Sequence, residues 1–431
     1  MEDYIIRTKY LEKISEFKET DLIKIITGVR RCGKSVLMEQ FQDRLKDGGI
    51  KSEQIISVNF EKLENEELLD YKKLHSYLAE RLNKSGWTYL FLDEIQMVPE
   101  FQKAINSLRT KKQVDIYITG SNSSLLGGEL ATLLTGRYIT IHVLPLSFKE
   151  YVSAHTNKFK SKYENFNPMR LTEKEASAMY KFIDDAVDGD PKRLFQKYIK
   201  LGAFPQTIHL SSEKGIFDYL DDVLSAIIRK DILARGKSVQ ESILMSITKF
   251  IFHSIGCEIS SVNITNTLKS NKREVSYNTV EKYLCYLKES FIIYEAGRYD
   301  VKGKQHLKQN AKYYAVDIGL RNMLLANKET DIGYVLENII YLELLRRGYK
   351  VSVGKIDNQE VDFVAENEQG IEYYQVSASI LDAKTRDREL EPLNSIKDHF
   401  PKFLITLDDY TANTTYNGIK VINAINFLLN D

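Results

Sequence analysis

The chain has 431 residues, more than one hydrophobic core usually organises, so about two to four domains are expected. Hydrophobic residues make up 43% and charged residues 28%, which excludes a largely disordered chain. Lys and Arg together number 60, as do Asp and Glu, so the net charge excludes a general attraction to nucleic acid or anionic lipid, and binding of either requires a local patch.

The start of the chain and its cysteines bear on location. Met1–Tyr10 alternates acidic, basic and apolar residues, and no uninterrupted apolar stretch is long enough to cross a bilayer. Cys32, Cys257 and Cys285 are far apart and match neither a CxxC metal pair nor a disulfide framework. These features predict a cytoplasmic protein with reduced thiols and no membrane partner.

The first third of the chain alternates short β-rich runs with amphipathic helical stretches, which is typical of a parallel sheet covered by helices. Leu37, Phe41 and Leu45 recur at helical spacing and predict one buried helix face. Five short, nearly continuous apolar runs are the predicted strands: Leu22–Thr27, Ile55–Phe60, Tyr89–Leu92, Val114–Thr119 and Tyr138–Leu144.

Beyond Pro145 the pattern changes. Residues 147–237 predict helices with polar connectors, and residues 238–327 predict helices followed by a β-hairpin, with Ser276 and Asn278 as alternative N-caps of one helix. That order is typical of a winged helix. An α/β pattern then returns, with these predicted elements: a helix at Leu336–Arg347 and strands near Val351 and at Val361–Ala365, Tyr373–Val376 and Phe403–Thr406.

Gly28–Ser35 matches the pattern G-x-x-x-x-G-K-[ST] between a predicted strand and a predicted helix. The glycines let the backbone N–H groups point at phosphate oxygens, and the helix N-terminus adds positive potential. We predict that Lys34 reaches the β- and γ-phosphates and that Ser35 ligates Mg²⁺. The predicted nucleotide-binding residues are Gly28, Val29, Arg30, Arg31, Cys32, Gly33, Lys34, Ser35 and Val36.

An apolar strand ending in two carboxylates, Asp93 and Glu94, completes this pattern. Mg²⁺ prefers hard oxygen ligands, so Asp93 is the predicted acid of the metal site. Glu94 is the predicted catalytic base that orients the attacking water. The alternative for both acids is a solvated strand end.

Three further positions are candidates for contact with phosphate. Ser121 or Asn122, after the fourth predicted strand, could sense the γ-phosphate, and the alternative is a turn with a helix N-cap. Arg137, before the fifth strand, could donate to phosphate oxygens of a neighbouring subunit, and the alternative is a strand-edge arginine. Arg30 and Arg31 are predicted to be surface or interface charges, because the loop backbone holds the phosphates.

Several segments closely resemble a large prokaryotic family of AAA-type ATPases that carry a C-terminal domain of unknown function and are related to archaeal and STAND-type ATPases. The resemblance covers nearly the whole chain and implies ATP, with Mg²⁺, as the bound nucleotide. The segments that carry it are Ile25–Ser35, Phe91–Gln96, Ile118–Asn122, Gly202–Pro205, Arg229–Ile232 and Glu360–Phe363.

The predicted fold class is α/β, with a P-loop NTPase sheet and three further parts. The predicted domains are an AAA-type P-loop ATPase core (1–146), a helical lid or connector (147–237), a winged-helix-like domain (238–327) and an inactive restriction-endonuclease-like α/β domain (328–431).

The endonuclease-like domain is implied by the family resemblance. An active domain of that fold holds a metal with an acid on a helix, an Asp on a strand and Glu-x-Lys on the next strand. Glu337, Asp362, Gln375 and Ser377 occupy the matching places. Because Gln375 replaces a carboxylate and Ser377 replaces the lysine, we expect no nuclease activity; the alternative for Asp362 is a capped or solvated strand residue.

The segment from Lys269 to Lys312 has ten Lys or Arg against five Asp or Glu. A winged helix could use such charges to bind DNA phosphates, and the alternative is a solvated face. The tyrosines of this region are predicted to belong to the core or the hairpin rather than to stack on bases: Tyr277, Tyr283, Tyr286, Tyr294 and Tyr299.

These features predict an ATPase that acts as a conformational switch on DNA or on a protein partner. The sequence leaves three matters open, which are oligomeric state, partner and pathway, and a homo-oligomer is one of the alternatives. Two other functions are kept. One is an ATP-bound scaffold or DNA-binding regulator that does not require turnover, and the other is an ATP-regulated nuclease.

Overall fold

The computed structural model describes residues 5–83, 85–121, 134–163, 190–234, 239–326, 331–409 and 414–430, apart from the side chains of residues 157–163 and 306–309. Two compact units are present. The first is Met1–Pro145 with Glu289–Phe291, and the second is Leu146–Lys288 with Ile292–Asp431. No helix in the described ranges is both long and apolar enough to span a membrane.

A parallel five-stranded sheet forms the centre of the first unit, in the order β2-β3-β4-β1-β5. Every residue of β1, β3 and β4 is buried, which requires cover on both faces of the sheet. The five predicted strands are confirmed, and their bounds are β1 Ile23–Thr27, β2 Ile55–Asn59, β3 Thr88–Asp93, β4 Val114–Gly120 and β5 Tyr138–His142.

Helices cover the two faces of this sheet: α1 Thr8–Glu16, α2 Lys34–Asp47, α3 Tyr71–Glu80 and α4 Phe101–Arg109. The predicted stripe of Leu37, Phe41 and Leu45 on α2 is buried, as expected. The Phe41 ring lies 5.2 Å from the ring of Tyr117 on β4. On the other face of the sheet, residues of α3 and α4, such as Leu74, pack against strand residues in one hydrophobic core.

Helices begin the second unit, as predicted: α5 Phe148–Tyr163, α6 Pro191–Leu201 and α7 Glu213–Ala226. The Asp190 carboxylate caps α6, and the Ser212 hydroxyl caps α7. The π-helical stretch Ile227–Leu233 continues α7 and contains the family segment Arg229–Ile232.

The next segment consists of α8 Glu241–His253, β6 Glu258–Ile259, α9 Ser261–Ser270, α10 Tyr277–Glu289, β7 Ile293–Asp300 and β8 Gln305–Ala315. β7 and β8 form the predicted hairpin, and β6 pairs antiparallel with β8. Ser276 caps α10, because its hydroxyl accepts a hydrogen bond from Thr279 N at 3.1 Å. The alternative cap, Asn278, is wrong, since it lies within the helix.

The family segment Gly202–Pro205 contacts the start of a short helix, α11 Ile318–Leu324. The buried Asp317 carboxylate caps α11 and accepts a hydrogen bond from Ala203 N at 2.6 Å. Gly202 has φ +78°, and a Cβ there would lie 2.2 Å from Asp317 Oδ1, so only glycine fits. Burial raises the pKa of Asp317 to about 6.

An α/β segment completes the chain: α12 Ile332–Arg346, β9 Lys350–Ile356, β10 Gln359–Asn367, β11 Gly370–Ser377, α13 Ala383–Ser395, β12 Lys402–Thr406, β13 Thr415–Tyr416, β14 Ile419–Asn423 and α14 Ala424–Leu429. The sheet order is β13-β14-β12-β11-β10-β9-β7-β8-β6. β7 runs parallel to β9, so the hairpin and the α/β strands share one nine-stranded sheet.

Candidate nucleotide-binding site

Three neighbouring parallel strands end at one edge of the first sheet. The loop Gly28–Gly33 follows β1, Asp93 ends β3, and Thr119 lies at the end of β4. Thr27, the last residue of β1, is paired with Gly120, the last residue of β4, so the two strands end at the same level of the sheet. Ligands of open α/β sheets bind at such carboxyl edges, and the predicted phosphate and metal residues are brought to the same edge.

Two glycines give the loop its shape. Gly28 has φ +147°, and a Cβ on it would lie 2.1 Å from the carbonyl oxygen of Val143. Gly33 has φ +98° and directly precedes α2. Both positions therefore require glycine. The two glycines let the backbone curl tightly just before the N-terminus of α2.

Lys34, in the first turn of α2, lies back over the loop. Its Nζ donates hydrogen bonds to the carbonyl oxygens of Gly28 at 3.0 Å and Val29 at 3.2 Å. Sequence reasoning missed Arg7, a buried residue that donates to the carbonyl oxygen of Cys32 at 3.2 Å. Burial raises the pKa of the Cys32 thiol, which donates to the Val143 carbonyl. Arg7 and Cys32 thus fix the back of the loop.

The Asp93 carboxylate is held by neutral donors from both neighbouring strands. Asn59 Nδ2, at the end of β2, donates to Asp93 Oδ2 at 2.8 Å. The Thr119 hydroxyl donates to Asp93 Oδ1 and accepts a hydrogen bond from Glu94 N at 2.9 Å. Asn59 and Thr119 were not predicted. Their positions could have indicated this role, because each lies at the end of a strand next to β3.

Glu94 is buried, at 8% exposure, and has a left-handed backbone with φ +56°. The Gln96 amide donates to its carboxylate. Burial raises the pKa of Glu94, and the nearby Asp93 adds to this, while Lys34, the Gln96 hydrogen bond and Arg30 oppose it. A buried carboxylate with a raised pKa has the properties expected of a general base.

The other predicted residues lie in varied places. Ser35 is half-buried in the first turn of α2, and Val36 is exposed. Arg30 is 3.4 Å from Glu61, and Arg31 is exposed. Ser121 is buried, and Asn122 lies outside the described residues.

Arg137 lies at the opposite edge of the sheet. Its carbonyl oxygen accepts from Ile23 N, at the amino end of β1, and its guanidinium donates to Asn106 at 3.4 Å. The length of β1 separates it from the loop, about 16 Å at the usual rise per residue. Arg137 therefore does not reach the loop of its own chain.

Comparisons with known proteins identify the family of the chain. Residues 20–152 match a family model described as an AAA domain, and residues 192–331 match one described as a domain of unknown function. An uncharacterized protein of Haemophilus influenzae is 38% identical over 426 residues, covering 99% of this chain and 98% of that protein. Another, from Methanocaldococcus jannaschii, is 30% identical over 385 residues, covering 87% and 79%.

The chain belongs to this family of AAA-type P-loop ATPases. The resemblance inferred from the sequence segments is thus confirmed. Among solved structures, a Walker-type ATPase of Pyrococcus abyssi has a TM-score of 0.45 at 15% identity, covering 75% of this chain and 97% of that one. The Aeropyrum pernix Orc1 protein in complex with DNA has a TM-score of 0.29 at 13% identity, covering 76% and 95%.

In the C-terminal part of this AAA-family chain, Glu337, Asp362, Gln375 and Ser377 line one cavity of about 370 Å³. The structure therefore brings together the four residues at the nuclease-like places. A fifth residue, Lys312, contacts the same cluster and is buried. It was counted in the sequence among the surface charges of the basic segment, so that assignment is wrong for Lys312.

Five of the ten basic residues counted in that segment make ion pairs or hydrogen bonds within the described part of the protein. The contacts are those of Lys312 with the acid cluster, Arg298 with Glu258 at 2.9 Å, Lys288 with Glu295 at 2.5 Å, Lys302 with Asp357 at 2.5 Å and Arg273 with the Ser242 carbonyl at 2.7 Å. The exposed ones include Lys269, Lys272, Lys282 and Lys304, and the side chain of Lys308 is outside the described part. Tyr283 and Tyr299 are buried as expected, whereas Tyr277 is 49% exposed.

Proposed function

We propose that the chain binds ATP with Mg²⁺ at the carboxyl edge of the first sheet and hydrolyses it. The main support is the bonded series Asn59–Asp93–Thr119–Glu94, which fixes two carboxylates beside the P-loop. Burial raises the pKa of Glu94 while Lys34 and Arg30 oppose the rise, which supports the assignment of the loop cations and Glu94 to one site.

The loop residues have the binding roles. Backbone N–H groups of Gly28–Val36 surround the phosphates, and Lys34 exchanges its two loop carbonyls for phosphate oxygens. The Ser35 hydroxyl and the Asp93 carboxylate are the oxygen donors that would hold Mg²⁺, and this donor set fits an ion that takes one or two carboxylates besides phosphate. When bound, Mg²⁺ neutralises phosphate charge.

Glu94 has the catalytic role. Its carboxylate orients the attacking water and accepts a proton from it. The hydrogen bond from Glu94 N to Thr119 fixes the backbone of the base, and the Gln96 amide fixes its carboxylate. Positioning of this kind is most of what a protein contributes to phosphoryl transfer.

Asn122 and Arg137 complete the proposed site. Asn122 follows the buried Ser121 and is proposed as the γ-phosphate sensor. Arg137 requires a second copy of the chain, since it lies at the far edge of its own sheet. Mixing the inactive variants K34A and R137A tests this, because mixed oligomers should regain turnover if Arg137 acts on a neighbour. Turnover by isolated R137A monomers equal to wild type would contradict the role.

The ATPase proposal is tested with Lys34→Ala, measured for ATP affinity and phosphate release. Both should be lost. Lys46→Ala, on the exposed end of the same helix, is the matched control and should leave both unchanged. Unchanged binding and turnover in K34A would overturn the proposal.

Turnover is proposed to act as a switch that changes contacts with DNA or a protein. The element order α8-β6-α9-α10-β7-β8 supports the winged-helix interpretation of residues 238–327. A protein partner is favoured over DNA, because five of the ten basic residues counted there make ion pairs or hydrogen bonds within the chain. ATPase assays with and without duplex DNA separate the two, since stimulation by DNA would reverse this preference.

Two alternatives have their own tests. A scaffold that needs bound ATP without turnover predicts that E94Q keeps biological function, whereas a switch predicts its loss. An ATP-regulated nuclease predicts metal-dependent cleavage that disappears in D362A.

A further inference from the structure

A lysine lies at the centre of the C-terminal acid cluster. Lys312 is 4% exposed, and its Nζ lies 3.0 Å from Glu337 Oε1, 2.6 Å from Glu360 Oε1 and 3.7 Å from Asp362 Oδ1. These acids come from two elements, α12 and β10, while the lysine is on β8. One ammonium group is therefore surrounded by three carboxylates, as an oxygen-bound cation would be.

The carboxylate oxygens are also occupied by other donors. Glu337 Oε1 accepts a second hydrogen bond, from the Tyr314 hydroxyl at 2.7 Å. Asp362 Oδ2 accepts one from Val376 N at 2.8 Å. An incoming metal ion would compete with these donors for the carboxylate lone pairs and would approach an ammonium group of the same sign.

The side chains of Gln375 and Ser377 do not supply the carboxylate and the lysine that an active metal site of this kind needs. Gln375 Nε2 donates to Glu389 at 2.9 Å, and its Oε1 accepts from Asp362 N. The Ser377 hydroxyl donates to the Ser379 carbonyl at 3.1 Å. Over the described ranges, no group of three or more His, Cys, Asp and Glu side chains is arranged to hold a metal ion. The donor set thus does not fit the metal that an active nuclease of this fold needs.

We propose that Lys312 is a permanent internal cation that takes the place of a metal ion in this cluster, so that the C-terminal α/β segment is a metal-independent structural module. Burial opposes the charge on Lys312, but Glu337, Asp362 and Glu360 together outweigh it and raise the pKa of Lys312. The ammonium also joins the hairpin strand β8 to α12 and β10. Burial also raises the pKa values of Glu337 and Asp362, so Lys312 offsets part of the cluster's negative charge and joins the hairpin to the α/β segment.

Binding of Mn²⁺ to the full-length, nucleotide-free protein tests the proposal, with free Mn²⁺ followed by electron paramagnetic resonance. All variants carry Asp93→Asn, which removes the proposed metal ligand of the P-loop. The parent D93N should show no Mn²⁺ binding that depends on Asp362. Adding Lys312→Met should create one Mn²⁺ site per chain, and adding Asp362→Asn to that variant should remove it again.

Lys302→Met is the matched control, because Lys302 pairs with Asp357 on the surface and its loss should create no site. Circular dichroism checks that each variant is folded, and Lys312→Gln, which keeps a hydrogen-bond donor without the charge, replaces K312M if that variant does not fold. The proposal is overturned by a Mn²⁺ site in D93N that D362N abolishes, or by a folded K312M or K312Q that gains none. If neither variant folds, the parent decides: Asp362-dependent Mn²⁺ binding refutes the proposal, and its absence supports it.

Discussion

Two regions of this chain each place a buried lysine near buried carboxylates, but the carboxylates accept their hydrogen bonds from different groups. In the first unit, Asp93 is held by the neutral groups of Asn59 and Thr119, while Lys34 donates to backbone carbonyls. In the second unit, Lys312 contacts its carboxylates directly. Lys34 and Asp93 are buried, as are Lys312 and Asp362, so residue type and burial alone do not separate the two clusters.

The two clusters differ in the type of group that donates hydrogen bonds to the carboxylates. Amide and hydroxyl donors orient a carboxylate and leave its charge available to a cation. An ammonium group neutralises it, and the buried pair then becomes costly to break. The comparison predicts a catalytic site in the first region and a structural one in the second.

The largest effect is expected from Glu94→Gln, which keeps shape and burial but removes the base. ATP turnover should fall by about 10²–10⁴-fold, the usual contribution of a general base. ATP affinity should be retained, because the loop and Lys34 are unchanged. Phosphate release and nucleotide binding, measured on the same preparation, check both parts.

The control for this variant is Glu80→Gln, at the exposed end of α3. It removes one carboxylate from the same unit without touching the site. Turnover in E94Q that matches E80Q would contradict the assignment of Glu94 and leave the first region without a base.

The second-largest effect is expected on the stability of the Lys312 cluster. Lys312→Met leaves Glu337, Glu360 and Asp362 without their cation, and removing one member of a buried ion pair costs about 3–5 kcal/mol. The free energy of unfolding, measured with urea, should fall by that amount. Lys302→Met, which breaks an exposed pair with Asp357, should change it little. Equal effects of the two variants would show that the Lys312 cluster is not a structural one.

A smaller effect is expected from Thr119→Val, which removes the hydroxyl that orients Asp93 and Glu94. Supporting groups of a metal site usually contribute about 10–100-fold. Turnover should fall within that range, and the Mg²⁺ concentration for half-maximal rate should rise. Thr88→Val is the matched control, since Thr88 is equally buried and accepts a backbone N–H, but at the amino end of β3. A T119V protein with the Mg²⁺ dependence of T88V would remove Thr119 from the site.

Local patterns were sufficient to predict much of the fold. The five apolar runs correspond to β1–β5, and the α2 stripe of Leu37, Phe41 and Leu45 is buried. Burial determines these patterns, on both faces of the strands β1, β3 and β4 and on one face of α2. The hairpin and its preceding cap at Ser276 were also predicted. The shared nine-stranded sheet was not, since strand pairing between distant segments leaves no local pattern.

The candidate site could be predicted only in part. Gly28–Ser35 and Asp93 with Glu94 follow from spacing, and their roles stay predictions. Asn59, Thr119 and Arg7 act through contacts between residues distant in sequence, so no spacing rule includes them. Lys312 was misassigned for the same reason, because a lysine surrounded by surface charges in sequence looks like one of them until the acids of α12 and β10 are placed beside it.

The finest test of the comparison is the pH dependence of turnover. Burial and Asp93 raise the pKa of Glu94, so its protonated form persists to higher pH than that of an ordinary carboxyl group. A base works only when deprotonated; turnover should therefore fall as pH decreases through the raised pKa and be retained above it. Gln96→Ala removes a hydrogen bond that favours the carboxylate and should move this acid limb upward, by up to about one pH unit if the bond contributes about 1.4 kcal/mol. A limb that moves downward in Q96A, or that also appears in ATP binding, would show that a group other than Glu94 titrates.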